Sequence, residues 1–281
     1  MRSSYLTRRA WAERAEQLVE RDLSVLRYVS ELRFVSGAQL TRLCFTDAPH
    51  HAVNARAARR ALLRLVRLGA LARLPRPVGG VRAGSAGFVY YLGLGGQRLA
   101  HEHDWQPKRR RRRSMQPGTL FLRHVLAIAE LHVLLVEADR SRRIELLELA
   151  SEPSCWRSYD GAHGLLTLKP DSYVRLGCGD FEDSYFLEID RGTEGSRAIA
   201  SQLVRYVAYH QSGQEQAERG VFPRVLWLAV DARRADVIGE CVAELAEAER
   251  ELFRVALFEQ AIEVIGGHSA APSPSDPLAR I

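Results

Sequence analysis

Lysine is almost missing from this chain: Lys108 and Lys169 are the only two among 40 basic residues, and the other 38 are arginines. Arginine forks onto phosphate and guanine edges better than lysine does, so the bias is compatible with a polyanionic partner. Cysteine is sparse as well. Cys44, Cys155, Cys178 and Cys241 are scattered, with no CxxC and no Cys/His zinc spacing. That argues against a disulfide scaffold or a structural zinc site, and for ordinary thiols in a reducing compartment. No N-terminal apolar stretch resembles a signal peptide, and no 18-residue apolar run reads as a membrane span. The expectation is a cytoplasmic protein with no membrane partner.

Acidic residues are scarce in one half only. Residues 1–113 hold 23 Lys and Arg against 8 Asp and Glu, a net of +15, whereas residues 114–281 hold 17 against 26, a net of −9. The overall +6 conceals this division. A block of like charge repels itself unless a partner neutralises it, so the basic half is built to meet a polyanion. The length of 281 residues suits two modest domains, each with its own core.

Residues 1–21 read as a polar arm, helical or unfolded. Residues 22–104 follow as one domain. Asp22 is placed to cap a helix in which Leu23, Leu26, Val29 and Leu32 recur at three-residue steps. Ser36 caps a shorter helix carrying Leu40 and Leu43. A third runs from about Ala52 to Leu68, with Gly69 as its stop. The period then changes to strands at 70–74 and 88–92 around a Pro- and Gly-rich segment, and Leu94–His103 closes the domain. Three helices and a Gly-rich hairpin are the order of a winged helix-turn-helix. Residues 105–118 form a linker around the basic run Lys108–Arg113, which cannot fold alone; it serves as a solvated tether, as a clamp along phosphates, or as both.

In helix-turn-helix proteins the second helix of the motif enters the major groove. Here Arg56, Arg60, Arg64 and Arg67 fall at spacings of four, four and three, with Arg59 beside them and no acid between. Such a face is costly unless phosphates or guanines neutralise it. Asn54 and Arg56, at the helix start, are the candidates for base readout, with Arg60 and Arg64 for phosphate or deeper groove atoms. Arg76 and Arg82 sit on the wing. Lys108, Arg109, Arg110 and Arg111 are candidates for the backbone clamp.

The second domain, residues 119–266, opens with a long apolar helix. Strands follow near 144–150, 165–175 and 185–189, then a helix over 194–210 capped by Thr193, a strand at 225–230, a helix near 235–250 and a strand near 253–258. A Pro- and Ser-rich tail, 267–281, reads as disordered. Glu188 and Asp190 share one face of a strand, and Asp171 joins them if the two strands pair. Three converging carboxylates suit a hard divalent cation such as Mg²⁺, which would polarise a phosphodiester. The competing reading pairs them with nearby arginines. His124 and His132, eight apart on the long helix, read as core or satisfied surface residues.

Residues 165–210 resemble a PD-(D/E)XK nuclease core, in the element order, in Pro170-Asp171 and in Glu188. The position of that family's lysine holds Asp190. The resemblance implies catalytic roles for Asp171 and Glu188; Asp190, a candidate through the shared strand face, cannot do the lysine's work of orienting water and offsetting charge, and Lys169 or Arg205 are the substitutes for it. The whole chain resembles the replication-relaxation family of plasmids and integrative elements. That likeness rests on the hairpin segment Leu63–Gly96, the helix segment Phe121–Leu135, and the segments LKPDSYVRL and YFLEIDRGTE. It implies DNA binding, a nuclease-like second domain, and a role in replication, relaxation or control of a mobile element. The fold class expected is α+β: a winged helix-turn-helix followed by an α/β nuclease-like domain with a central mixed sheet. Two functions stand open. One is a duplex-DNA-binding regulator or replication accessory whose second domain is a scaffold or dimerisation platform; the other is a Mg²⁺-dependent endonuclease or nickase. A protein-interaction adaptor is a third. The departure at Asp190 favours the first, and nothing in the spacing forces or excludes a homodimer.

Overall fold

Helix formers with apolar residues on one face fill the chain up to Leu68, and the first unit is built on them. The computed structural model describes residues 8–74, 87–105, 117–161 and 164–267. The chain divides into two compact units, Met1–Val133 and Leu134–Ile281.

In the first unit, α1 (Arg8–Ala15) shows that the expected polar arm has a helical, anchored part: Trp11 is buried. Helix α2 (Glu20–Leu32) turns Val25, Leu26, Val29 and Leu32 inward. It starts earlier than expected. Val19 is its N-cap, and Asp22 sits inside the first turn, where its carboxylate accepts the Val19 N–H at 3.0 Å. Strand β1 (Val35–Ser36) leads into α3 (Gly37–Cys44), closed by a capping box: Gln39 N–H donates to the Ser36 hydroxyl at 3.2 Å and Ser36 N–H to the Gln39 side chain at 2.9 Å. Helix α4 (His51–Leu68) stops at Gly69, whose φ of 79° is the left-handed C-terminal conformation that glycine favours.

Strands β2 (Leu71–Arg73) and β3 (Val89–Leu92) pair antiparallel, and β1 adds to β3, giving the order β1-β3-β2. β1 is too short for alternation to reveal it. Helix α5 (Leu94–Glu102) follows. Its glycines are packing devices. A Cβ on Gly95 would lie 2.2 Å from the Trp11 ring, and one on Gly96 would lie 2.2 Å from the Ala70 carbonyl oxygen.

Helix α6 (Thr119–Arg140) contains the division between the units, which the sequence places in the linker instead. The reason is visible in the packing of its first half. Leu122 packs with Leu74 and Val89, Gln39 donates to the Leu126 carbonyl at 2.9 Å and to Glu130 at 3.0 Å, and Arg42 pairs with Glu130. By length and composition α6 would suffice to cross a membrane, contrary to the expectation that no such run exists. Half of its apolar window is buried inside the protein, with Leu122, Val125, Ile128 and Leu131 among the core residues.

The second unit is organised by a five-stranded mixed sheet. Its strands are β4 (Glu145–Ser151), β7 (Ser172–Cys178), β8 (Phe181–Ile189), β9 (Arg224–Ala229) and β10 (Phe253–Leu257), in the order β10-β9-β8-β7-β4. β4, β7 and β8 are antiparallel; β8, β9 and β10 are parallel. A separate antiparallel hairpin pairs β5 (Arg157–Gly161) with β6 (Gly164–Leu168). The single strand expected over 165–175 is therefore two. Pro170 has no N–H for a ladder, so β6 ends before it and β7 begins after it.

Helix α7 (Ser196–Ser212) starts after Gly195 rather than being capped by Thr193. The short α8 (Gln214–Arg219) follows. Helix α9 (Ala232–Ala243) starts earlier than expected, because the Asp231 carboxylate accepts the Arg234 N–H at 2.9 Å, and α10 (Glu247–Arg250) is separate from it. α11 (Ala261–Gly266) closes the described chain. One sheet face carries Tyr173, Phe186, Trp227 and Phe253, which pack with Leu203, Tyr206 and Tyr209 of α7 and with Ile238 of α9. Each such buried side chain contributes roughly 1.5–3 kcal/mol relative to exposure.

Candidate nucleic-acid interface and buried carboxylates

At roughly 100° per residue, Ala58, Leu62 and Leu65 share the buried side of α4. Arg56, Arg60 and Arg67 point the opposite way. These three are exposed, as is Arg59, whose Nε donates to the Ala55 carbonyl at 3.2 Å. Among the described residues none of Arg56, Arg60 and Arg67 meets a carboxylate. No Asp or Glu occurs in the sequence between Asp47 and Glu102.

Two residues expected on this surface are held elsewhere. Arg64 Nη2 donates to both oxygens of Asp22 at 2.7 Å. Asp22 is only 2% exposed, and a buried carboxylate needs its countercharge. Arg64 therefore secures α4 to α2 and is not a full member of the arginine row. Asn54 donates from Nδ2 to the Ala48 carbonyl at 2.9 Å and accepts the Ala48 N–H at 3.1 Å. Its amide fixes the turn before α4, so it is spent on the protein's own backbone rather than presented to bases. Arg76, Arg82, Lys108, Arg109, Arg110 and Arg111 lie outside the described residues. At the base of the hairpin, Arg73 stacks over the Phe88 ring at 4.2 Å.

In the second unit the β7–β8 register pairs Ser172 with Leu187, so Asp171 and Glu188 face each other one step beyond. Asp171 Oδ2 accepts the Ile189 N–H at 2.7 Å. Glu188 is buried and accepts hydrogen bonds from the Tyr206 hydroxyl and from Gln202, both on α7. Burial, and then the neighbouring Asp171, push the Glu188 carboxyl well above the usual carboxylate range. Burial likewise raises the Tyr206 hydroxyl, with Glu188 adding to it.

Asp190 takes another direction. Arg234 of α9 holds it bidentately, from Nε at 2.6 Å and from Nη2 at 2.7 Å, and Gly192 N–H donates to it at 2.7 Å. Glu188 and Asp190 do share a strand face, as their spacing requires, but one is claimed by α7 and the other by α9. The three carboxylates therefore do not surround one gap. Among the described residues no group of three or more His, Cys, Asp and Glu is arranged to hold a metal ion. Asp190, the third expected cation ligand, is committed to the Arg234 guanidinium.

Lys169 and Arg205, the expected substitutes for the missing lysine, are exposed and line one cleft of about 300 Å³ with Tyr159, Leu166 and Gln202. Lys169 Nζ also lies 5.0 Å from the Trp156 ring centre, and Arg205 Nη2 is 3.4 Å from the Ser201 hydroxyl. Gln202 touches both the cleft and Glu188. Sequence reasoning missed Arg234, Tyr206 and Gln202, because each lies far along the chain from the carboxylate it binds. It also missed the Arg157–Glu215 pair at 3.0 Å, in which Glu215 is fully buried and shared with the Tyr209 hydroxyl.

The profile of the replication-relaxation family matches residues 26–225. The chain belongs to the replication-relaxation family. Membership points to a replication-related protein of plasmids or mobile elements. The family match spans all of α4 and the segment from Asp171 to Asp190, but it ends before Arg234, the residue that holds Asp190. No curated protein and no solved structure matches the chain.

Proposed function

We propose that this replication-relaxation protein binds duplex DNA through the exposed arginine face of α4 and acts in the replication, relaxation or transcriptional control of its element. The second unit serves it as a scaffold or dimerisation platform. The observation that carries the reading is the set Arg56, Arg60 and Arg67, exposed on one face and unmatched by any acid nearby in sequence. The order α2-β1-α3-α4-β2-β3, with β1 joining the hairpin, supports reading this unit as a winged helix-turn-helix with α4 as its groove helix. Affinity for a duplex should fall linearly in log–log form with salt, by roughly 0.9 per phosphate contact. A salt-independent affinity, or none at low salt, removes the proposal.

A Mg²⁺-dependent endonuclease is the second reading. Two features favour it: the strand directions β4-β7-β8-β9, which follow the PD-(D/E)XK order, and the cleft that gathers Lys169 and Arg205 with Gln202, itself a hydrogen-bond partner of Glu188. Against it stands the Asp190–Arg234 pair, which commits one expected cation ligand to a guanidinium, so no catalytic step is derived through a metal. Supercoiled plasmid incubated with Mg²⁺ or Mn²⁺ separates the two. Intact plasmid together with duplex binding supports the binding protein. Relaxation or linearisation that is lost in both Asp171→Ala and Glu188→Ala supports the enzyme.

A further inference from the structure

With Asn54 committed to Ala48, the start of α4 needs another reader of bases, and the structure offers Val53. It lies in the first turn of α4, and on the helical wheel it falls between Arg60 and Arg64, within the exposed sector opposite Ala58 and Leu62. It is 51% exposed, the apolar side chain of the first turn on a face that carries Arg56, Arg60 and Arg67; Leu63, also exposed, lies beside that face nearly three turns further along. Arg56 stands one turn further on, on the same side. A groove helix presents its N-terminal residues to base edges. There the thymine 5-methyl group is the one apolar feature of the major groove, and the guanine N7 and O6 are the acceptors an arginine fork matches. We infer that Val53 and Arg56 form the base-reading edge of this protein, Val53 against a thymine methyl and Arg56 against a neighbouring guanine, while Arg60 and Arg67 hold phosphates. This rests on the duplex-binding reading above.

The test uses the full chain. A preferred site is first selected from a pool of random duplexes, and each thymine in it is then replaced singly by deoxyuridine, which removes only the methyl group. Wild type should lose roughly fourfold in affinity at one position, the worth of burying one methyl-sized group. Val53→Ala, which lacks both γ-methyl groups, should show a clearly smaller thymine preference than wild type. Val53→Thr, which keeps one γ-methyl group, should retain a larger preference for thymine than Val53→Ala. Val53 is exposed, so both variants should fold as wild type. Indifference of wild type to every deoxyuridine, or an undiminished thymine preference in Val53→Ala, overturns the inference and leaves duplex binding standing. Absence of any duplex binding overturns both.

Discussion

Burial decides how His132 responds to acid. Its ring meets Tyr28 edge-on at 5.5 Å, and among the described residues its Nδ1 has no hydrogen-bond partner. Burial lowers its pKa from 6.5 to about 4, so the folded state keeps a neutral imidazole where the unfolded chain would bind a proton. Stability is then intact above about pH 6.5, declines as pH falls toward 4, and levels off below that, for a loss of roughly 3 kcal/mol. Urea midpoints measured across this range should show the decline in wild type, and it should be much reduced in His132→Leu. Glu188 has the opposite sign. Its folded pKa lies above the unfolded value, so its contribution is fully present below about pH 4.5 and is lost as pH rises. Glu188→Gln should therefore raise the melting temperature at pH 7 and lose that advantage at pH 4. A lower melting temperature at pH 7 would show that the ionised carboxylate has a favourable partner.

Helix α4 carries two kinds of arginine, and substitution should tell them apart. Arg60→Ala should change stability by less than about 0.5 kcal/mol and flatten the salt slope of duplex binding by about one unit. Arg64→Ala leaves Asp22 buried with, among the described residues, only the Val19 N–H. Since Arg64 is itself partly exposed, the cost should be about 2 kcal/mol, below that of a fully buried pair. Chemical denaturation and salt titration of the two variants check this, and equal behaviour would refute the distinction. Helix α1 depends on a different contact. Gly95→Ala drives a methyl group into Trp11 and should cost about 1–3 kcal/mol. Limited proteolysis should then cut near residues 8–15 sooner than in wild type.

For the molecule as a whole, charge distribution and compactness agree. Only Arg123 and Glu130 are charged between residues 114 and 133, so dividing the chain after Val133 leaves the +15 and −9 balance unchanged. The basic unit is the one that should give a steep salt dependence. The acidic unit should repel DNA at long range, within a screening length of about 10 Å at 0.1 M salt. Charge-neutralising Arg56, Arg60 and Arg67 together should abolish measurable duplex binding at 0.15 M salt while the plasmid-cleavage result of wild type, whichever it is, identifies the role of the second unit.

The sequence by itself determined the longer elements and their order in both units, because apolar period, caps and turn residues are local properties; the short β1, β5 and α8, and the breaks at Pro170 and between α9 and α10, escaped it. Leu62 and Leu65 on one side of α4 and Arg60 and Arg67 on the other follow from 3.6 residues per turn alone. So does the shared strand face of Glu188 and Asp190, from the period of two. The family was legible too, in short segments that keep their order. Only the tertiary structure decided which charges were already spoken for. Asp22 takes Arg64 from 42 residues away, Arg234 takes Asp190 from 44 away, and Tyr206 takes Glu188 from 18 away. A carboxylate selects its partner by distance in space and by the burial that makes pairing compulsory, and neither quantity is written in local spacing.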